Sequence, residues 1–448
     1  MSLQLIQNLK QRYNGKKILV VGLGLQGGGV GIAQFFAELG AKVTVTDKKT
    51  ETQLMQSVSK LKNLPITFHF GKNLLEDFLS ADIIFKGPSV PWNSPEIMAA
   101  QEKNIPIEME MSFVVANYPG RVIGITGTRG KSTTTHLIYN LLKGSGFKVS
   151  LGGGLPGLST INCLKTADES SWLVAELSSW ALSGFHQKKI SPYISVFTNF
   201  YPDHLNYYKK LEDYFYDKQA IFQYQKKEDY LVANESLRQS IDSVTYVSST
   251  TFFSKNDFPS ELTYLKGDHN LENAAAALKV SGIIKIDKDR AVNTIKDFNG
   301  LPYRLQLVGK KDKVTFINDT TSTTPIATVK AIKSLRDKKI ILFLGGNSKN
   351  LPKDILIDEL INVEKIILLS GSFTDEALLV LKEKYQDKLI GPFDNLDLAF
   401  EKGYQLAANL KEECYLLFSP GATSFAMFNN EFHRGEEFNR NVEKLFKI

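Results

Sequence analysis

The sequence predicts an α/β protein of three domains built on largely parallel sheets, and three observations carry that prediction. Its 448 residues are too many for one core and suit about three domains at the usual ~100–200 residues each. Short apolar runs of strand length alternate with helical patterns along the whole chain. Two of those runs lead directly into glycine-rich turns that open a helix, as in the strand–turn–helix units of open parallel sheets.

The first domain, residues 1–117, opens with Lys17-Ile18-Leu19-Val20-Val21, a buried-strand pattern. It continues through Gly22-Leu23-Gly24-Leu25-Gln26-Gly27 into a helix over 32–39, then Val43-Thr44-Val45 and Asp47. A G-x-G-x-x-G followed about twenty residues later by an acid is the Rossmann-like fingerprint of a dinucleotide site. The same strand, turn and helix can hold any nucleotide's phosphates or ribose, and nothing nearby supplies a hydride-transfer site. A nucleotide-sugar site is therefore expected in place of NAD or FAD.

A boundary falls at Tyr118-Pro119-Gly120, where Pro-Gly interrupts the apolar periodicity. The central domain, 118–301, then presents strand-like runs at 122–126, 172–176, 193–198 and 230–234. The first of these leads into Gly124-Ile125-Thr126-Gly127-Thr128-Arg129-Gly130-Lys131-Ser132-Thr133 and an apolar helical pattern over 136–142. Glycines let backbone N–H groups turn toward an anion, Lys131 adds a point charge, and Ser132 offers a hydroxyl to Mg²⁺. The spacing is G-x-x-G-x-x-G-K-S, because the leading glycine of the strict phosphate-loop pattern would fall at Ile125. A P-loop-type domain using ATP follows; the plain alternative is a glycine-rich β-turn before a helix.

A second boundary is expected near Asn299-Gly300-Leu301-Pro302. The third domain, 302–448, resumes the alternation with strands at 313–318, 339–344, 365–369 and 415–418 and a helix over 374–384, and is read as Rossmann-like.

Composition limits the function classes. The chain is 43% hydrophobic and 23% charged, ordinary for a globular protein, with a formal charge of +6. Its Lys and Arg are scattered, which suits a polyanionic small molecule better than a nucleic-acid groove. Cys163 and Cys414 are the only cysteines, too few for a disulfide framework and suited to a reducing compartment. No apolar run approaches the ~20 residues that span a bilayer, and the amino terminus lacks a signal-peptide pattern. A cytoplasmic monomer acting on small molecules, with no membrane or nucleic-acid partner, is expected.

Ligands of open parallel sheets collect beyond the carboxyl ends of strands, where four further polar clusters stand. They are Glu176-Leu177-Ser178-Ser179, Asn199-Phe200-Tyr201-Pro202-Asp203-His204, Gly267-Asp268-His269-Asn270-Leu271-Glu272-Asn273, and Asn318-Asp319-Thr320-Thr321-Ser322-Thr323. Together with Thr126-Gly127-Thr128-Arg129-Gly130-Lys131-Ser132 they resemble the Mur ligase family, in family order, across nearly the whole chain. Glu176-Leu177-Ser178-Ser179 and the run from Leu417 to Phe428, Leu-Phe-Ser-Pro-Gly-Ala-Thr-Ser-Phe-Ala-Met-Phe, resemble the branch that adds D-glutamate.

That resemblance implies ATP-dependent amide synthesis from UDP-N-acetylmuramoyl-L-alanine and D-glutamate, in peptidoglycan precursor assembly. It implies that Gly127, Thr128, Gly130, Lys131, Ser132 and Thr133 hold the triphosphate, and that Ser132 and Glu176 hold Mg²⁺. His204 would ligate a second Mg²⁺, and Lys218, carried as a carbamate, would become an anionic metal-bridging ligand. Lys131, Glu176, His204 and Lys218 are thus the catalytic set. Toward adenosine the resemblance implies Asn270 and Asn273 at adenine, Arg304 at phosphate and Asp319 at ribose. It implies Leu25, Gln26, Asp47 and Ser178 for the UDP-bearing substrate, and Thr323, Lys349 and Ser424 for the amino acid.

Each residue has a plainer reading as a helix cap, a structural pair or a solvated lysine. The chain also departs from the family pattern. Thr321 stands where the family has a lysine, Gly154 where it has an asparagine, Asn206 where an Asp is frequent, and Gly87-Pro88-Ser89 where it reads Ser-Pro-Gly. A ligase of the same family with another amino acid or acceptor, a nucleotide-dependent dehydrogenase, and a non-catalytic ATP-binding subunit are the competing expectations.

Overall fold

The computed structural model describes residues 2–25, 27–154, 159–203, 207–265, 267–349 and 351–446. The chain divides into two compact units, Met1–Phe298 and Asn299–Ile448.

The first unit holds two sheets. One comprises β1 (Lys17–Val21), β2 (Lys42–Asp47), β3 (Ile66–Phe70), β4 (Ile83–Lys86) and β5 (Ile107–Glu108), in the order β3-β2-β1-β4-β5. All its pairs are parallel, with Val21 beside Thr46 on one side and Lys86 on the other. The strand order reverses direction between β1 and β4, so a crevice opens beyond their carboxyl ends.

The second sheet comprises β6 (Arg121–Thr126), β7 (Val149–Gly153), β8 (Trp172–Glu176), β9 (Ile194–Phe197), β10 (Tyr230–Asn234) and β11 (Ser249–Phe253). Its order is β11-β10-β9-β6-β8-β7, again all parallel. Because β6 lies between β8 and β9, their carboxyl ends deliver three loops to one spot. Strands buried on both faces need continuous apolar runs. Val122, Ile123 and Ile125 in β6 and Leu173, Val174 and Ala175 in β8 meet that need, all at 5% exposure or less.

One apolar core runs from the first sheet into the second. It joins Phe35, Phe36, Phe85 and Phe113 to Ile161, Leu173, Leu182 and Phe222. Polar ties supplement it: Glu110 accepts from Ser159 Oγ (2.8 Å) and the Ile161 N–H (3.1 Å).

The second unit is one mixed sheet: β12 (Gln306–Lys311), β13 (Val314–Asn318), β14 (Lys339–Gly345), β15 (Lys365–Leu369), β16 (Leu389–Phe393) and β17 (Cys414–Phe418). The order is β12-β13-β17-β14-β15-β16, and only the β12 edge pair is antiparallel. Alternate residues feed opposite cores. Ile340, Leu342 and Leu344 face one and Ile341 and Phe343 the other, as the two-residue strand period requires.

The structure is α/β with largely parallel sheets, as the sequence predicts. Strands β3, β4, β5, β7, β11, β12 and β16 are additions to the sequence reading, and the antiparallel edge makes the last sheet mixed.

Candidate active site

The helix Lys131–Gly144 starts at Gly130, whose φ of 81° is left-handed. A Cβ there would stand 2.3 Å from Asn273 Oδ1, so glycine suits both the turn and the close approach. Gly127 is as constrained, at φ 147° with an imagined Cβ 2.0 Å from Thr198 Oγ1.

The loop between them is braced by the end of β9. The Arg129 N–H donates to Asn199 Oδ1 (2.8 Å), and Asn199 Nδ2 (3.1 Å) and Thr198 Oγ1 (2.6 Å) donate to the Arg129 carbonyl. The Thr128 N–H donates to the Asn199 carbonyl (3.0 Å). Thr128 Oγ1 exchanges bonds with the Tyr201 backbone, at 3.1 and 3.0 Å. These bonds fix the loop's shape before any ligand arrives, which removes an ordering cost from anion binding.

Cations converge here. Lys131 Nζ donates to its own loop, at the carbonyls of Gly127 (3.0 Å) and Thr128 (3.2 Å). Lys218, on the helix Leu211–Gln223, is only 1% exposed. Its Nζ donates to the Gly127 carbonyl (2.9 Å) and Thr126 Oγ1 (3.3 Å) and lies 4.8 Å from the Tyr214 ring centre. Burial, reinforced by the Lys131 charge, holds its pKa well below the ordinary lysine value. That favours the neutral amine, the form of a lysine that is a nucleophile.

At the end of β8, Glu176 Oε2 accepts from Ser132 Oγ at 2.6 Å. Ser178, two residues on, caps the helix Ser179–Lys188 by accepting from the Ala181 N–H (3.2 Å). Thr133 is partly buried in the first turn of the phosphate-loop helix. The structure thus brings Gly127, Thr128, Gly130, Lys131, Ser132, Glu176 and Lys218 to one place. His204 and Gln26 lie outside the described residues, as does Asn206. No group of three or more His, Cys, Asp or Glu side chains placed to hold a metal occurs among the described residues.

Asn273 is 4% exposed. It accepts from Thr134 Oγ1 (3.2 Å) and donates to Asn270 Oδ1 (3.3 Å). Its amide therefore supports the phosphate-loop helix directly.

In the first sheet, Asp47 Oδ2 accepts from the Gly24 N–H (3.1 Å) and Oδ1 from the Lys49 N–H (2.9 Å). Leu25 projects from that turn at 44% exposure.

In the second unit the predicted residues follow the carboxyl ends of the neighbouring strands β13, β17 and β14. Lys349 Nζ donates to Thr323 Oγ1 at 2.9 Å. The loop carrying Ser424 is tied to that of Lys349 by an Asn347–Thr423 bridge. Ser424 is 2% exposed, and its hydroxyl makes no hydrogen bond among the described residues. Asp319 is buried, its Oδ1 accepting from the Leu305 N–H (3.0 Å) and Oδ2 from Ser419 Oγ (2.7 Å). Burial raises its pKa. Arg304, exposed beside it, is held by that turn. Thr321 donates to the Tyr303 carbonyl (2.8 Å), which closes the same turn.

The sequence reading missed three groups. Asn199 was visible as a polar residue after a strand, but its double grip on Arg129 needed the fold. Glu110 had no signal beyond its place at a helix start. Lys86 closes the apolar run Ile83-Ile84-Phe85, a charge where a buried strand ends.

Known proteins resemble this chain over nearly its whole length. Residues 125–264 match the Mur ligase middle domain and residues 16–108 the Mur ligase MurD-like N-terminal domain. The UDP-N-acetylmuramoylalanine–D-glutamate ligase of Roseiflexus sp. (strain RS-1) is 35% identical, covering 96% of this chain and 99% of that protein. The protein of the same name from Borreliella afzelii is 32% identical over 95% of this chain and 97% of its own. Among solved structures, the UDP-N-acetylmuramate–alanine ligase of Thermotoga maritima shares the fold, with a TM-score of 0.55 at 17% identity over 96% of this chain and 99% of that one. A MurF structure from Acinetobacter baumannii gives 0.54 at 13% identity, with 98% of each chain covered. Two matched domains and full-length relatives above 30% identity leave one conclusion: the chain belongs to the Mur ligase family.

Proposed function

We propose that this chain joins D-glutamate to UDP-N-acetylmuramoyl-L-alanine at the expense of ATP, releasing ADP and phosphate, as a cytoplasmic monomer in peptidoglycan precursor synthesis. The observation that carries this reading is the Ser132–Glu176 pair, 2.6 Å apart beside Lys131 and Lys218, in a chain whose full-length relatives bear that ligase name. No helix among the described residues is long and apolar enough to cross a membrane.

The reaction needs two anions to meet. An oxygen of the substrate's alanyl carboxylate attacks the γ-phosphorus, the bond to the β-phosphate oxygen breaks, and ADP leaves. The amine of D-glutamate then adds to the acyl carbon of the resulting acyl phosphate, loses a proton, and expels orthophosphate. Bringing a carboxylate to a triphosphate is opposed by charge repulsion, so fixed cations and backbone N–H groups are the main contribution a protein can make. Lys131, with Gly127, Thr128, Gly130 and Thr133, takes the β and γ phosphates, its Nζ leaving the Gly127 and Thr128 carbonyls.

Ser132 and Glu176 fit Mg²⁺, because a hydroxyl and a carboxylate already in contact are hard oxygen donors that need only a small separation to share a cation. Mg²⁺ held by them would supply charge neutralisation to the phosphates. His204 and Lys218 are proposed for a second Mg²⁺. Lys218 first becomes a carbamate: its neutral amine adds to CO₂, an N–C bond forms, and one proton is released. Burial favours that amine, and the product carries the oxygen donors the ammonium lacks.

Asn270, Asn273, Arg304 and Asp319 are proposed for the rest of ATP, with Asn273 and Asp319 acting through the loops they brace. Leu25, Gln26, Asp47 and Ser178 take the UDP-bearing substrate. Lys349, Thr323 and the Ser424 hydroxyl, unpartnered among the described residues, take the carboxylates of D-glutamate, where a charge-assisted bond is the strongest available.

A coupled ADP assay containing UDP-N-acetylmuramoyl-L-alanine, D-glutamate and Mg²⁺-ATP tests the reading. ADP release should require all components, and other D- or L-amino acids should not replace D-glutamate. Release with another amino acid alone would move the assignment elsewhere in the family. Light scattering at one chain mass tests the monomer.

A further inference from the structure

At the end of β4 an ammonium is buried with no carboxylate in direct contact among the described residues. Lys86 is 1% exposed. Its Nζ donates to the Val90 carbonyl at 2.9 Å and stands 4.4 Å over the Trp92 ring. Burial pushes its pKa down to about 8, against the pull of Asp217. Burying a charge costs far more than burying a methylene chain of the same length, so an apolar residue would serve the core better.

What the charge holds is the 87–92 loop. The Gly87 N–H donates to the Val21 carbonyl (2.8 Å) and the Val90 N–H to the Gly87 carbonyl (3.1 Å). A Cβ on Gly22 would lie 3.6 Å from Val90 Cγ2. The loop therefore lies against the first glycine-rich turn, beyond the β1–β4 pair where the strand order reverses and where ligands of such sheets bind.

The loop is also tied to the second sheet's helices. Trp92 Nε1 donates to Ser183 Oγ (2.9 Å) on the helix Ser179–Lys188. The Asp217 carboxylate, near enough to pull on the Lys86 charge, is held by Tyr208 Oη at 2.8 Å and followed in the chain by Lys218.

We infer that Lys86 is a positioning residue for the UDP-bearing substrate. It holds the 87–92 loop as one wall of the β1–β4 crevice and keeps that wall in register with the helices bearing Ser183 and Asp217, without touching the substrate itself. The inference rests on the proposal that the UDP end occupies this crevice.

The test is calorimetric titration of the full chain with UDP and, separately, with Mg²⁺-ATP, for wild type, Lys86→Met and Lys86→Arg. Lys86→Met keeps the apolar stem and removes the donor and the charge; it should weaken UDP about tenfold and leave ATP within about twofold. Lys86→Arg retains a donor and a cation over Trp92, and should recover most of the loss. Should Lys86→Met not fold, Trp92→Phe keeps a ring under the ammonium but removes the bond to Ser183, and should weaken UDP about threefold with ATP unchanged.

Three results would overturn the inference: no UDP binding by wild type, UDP binding by the folded variant within twofold of wild type, or equal losses for UDP and ATP. Failure of the ligase reading shows separately, as wild type that binds UDP but releases no ADP with its substrates.

Discussion

The first unit contains two glycine-rich turns with the same backbone design and opposite chemistry. Each follows a buried parallel strand and ends in a left-handed glycine, Gly27 at φ 98° and Gly130 at φ 81°, that opens a helix. After Gly130 come Lys131 and Ser132, and the brace is neutral, Asn199 and Thr198. After Gly27 come further glycines with no charge in the first helical turn, and the brace is anionic, Asp47. A helix N-terminus attracts any anion. A lysine and a hydroxyl at that terminus suit a triphosphate with its metal, whereas a carboxylate under the turn favours donors such as ribose or base N–H groups and opposes a dense cluster of phosphate charge. On the proposed reading the strand–turn–helix pattern marks both nucleotide sites, and the side chains that follow the last glycine distinguish the nucleotide part each would hold.

The contrast is sharpest at Lys218, which belongs only to the second turn. Lys218→Ala should lower kcat by about 10³-fold or more, and bicarbonate added to decarbonated enzyme should restore activity to wild type alone. Unchanged turnover in the variant would reject the role. Next in size is Lys131→Ala, expected to reduce kcat/KM about 10³-fold with UDP binding unaltered. Comparable losses of ATP and UDP binding would mean that the two turns are not separate sites.

The smallest effect is expected at Asp47. Removing its carboxylate leaves the Gly24 and Lys49 N–H groups without their acceptor, a cost of about 1–3 kcal/mol. Asp47→Ala should raise the KM for the UDP-bearing substrate about tenfold and leave that for ATP alone. A change confined to ATP would reverse the assignment of the turns.

Much of this was readable from residue order because parallel strands and phosphate loops are local patterns. The runs 17–21, 172–176, 230–234 and 365–369 coincide with β1, β8, β10 and β15. Three of the missed strands lack the usual signals. β7 ends in glycines, β12 is a half-exposed antiparallel edge with Lys310 and Lys311, and β16 contains Gly391-Pro392. None shows the apolar run or strict alternation on which strand recognition depends.

The site was legible where one chain segment supplies both position and chemistry, as at Lys131 and Ser132. Side chains that matter through distant partners were not. Asn199 grips a loop seventy residues earlier, and the Lys86 ammonium acquires meaning only beside the Val90 carbonyl and the Trp92 ring. The pKa shift of Lys218 likewise comes from burial of its helix face against the end of β6, which no window of sequence displays.

The central claim is that the γ-phosphoryl group passes to a carboxylate oxygen of the UDP-bearing acid before the amine arrives. Turnover of substrate with ¹⁸O in the alanyl carboxylate, followed by mass analysis of the released orthophosphate, reads this directly. One heavy oxygen should appear in each phosphate formed; orthophosphate free of the isotope during full product formation would contradict it.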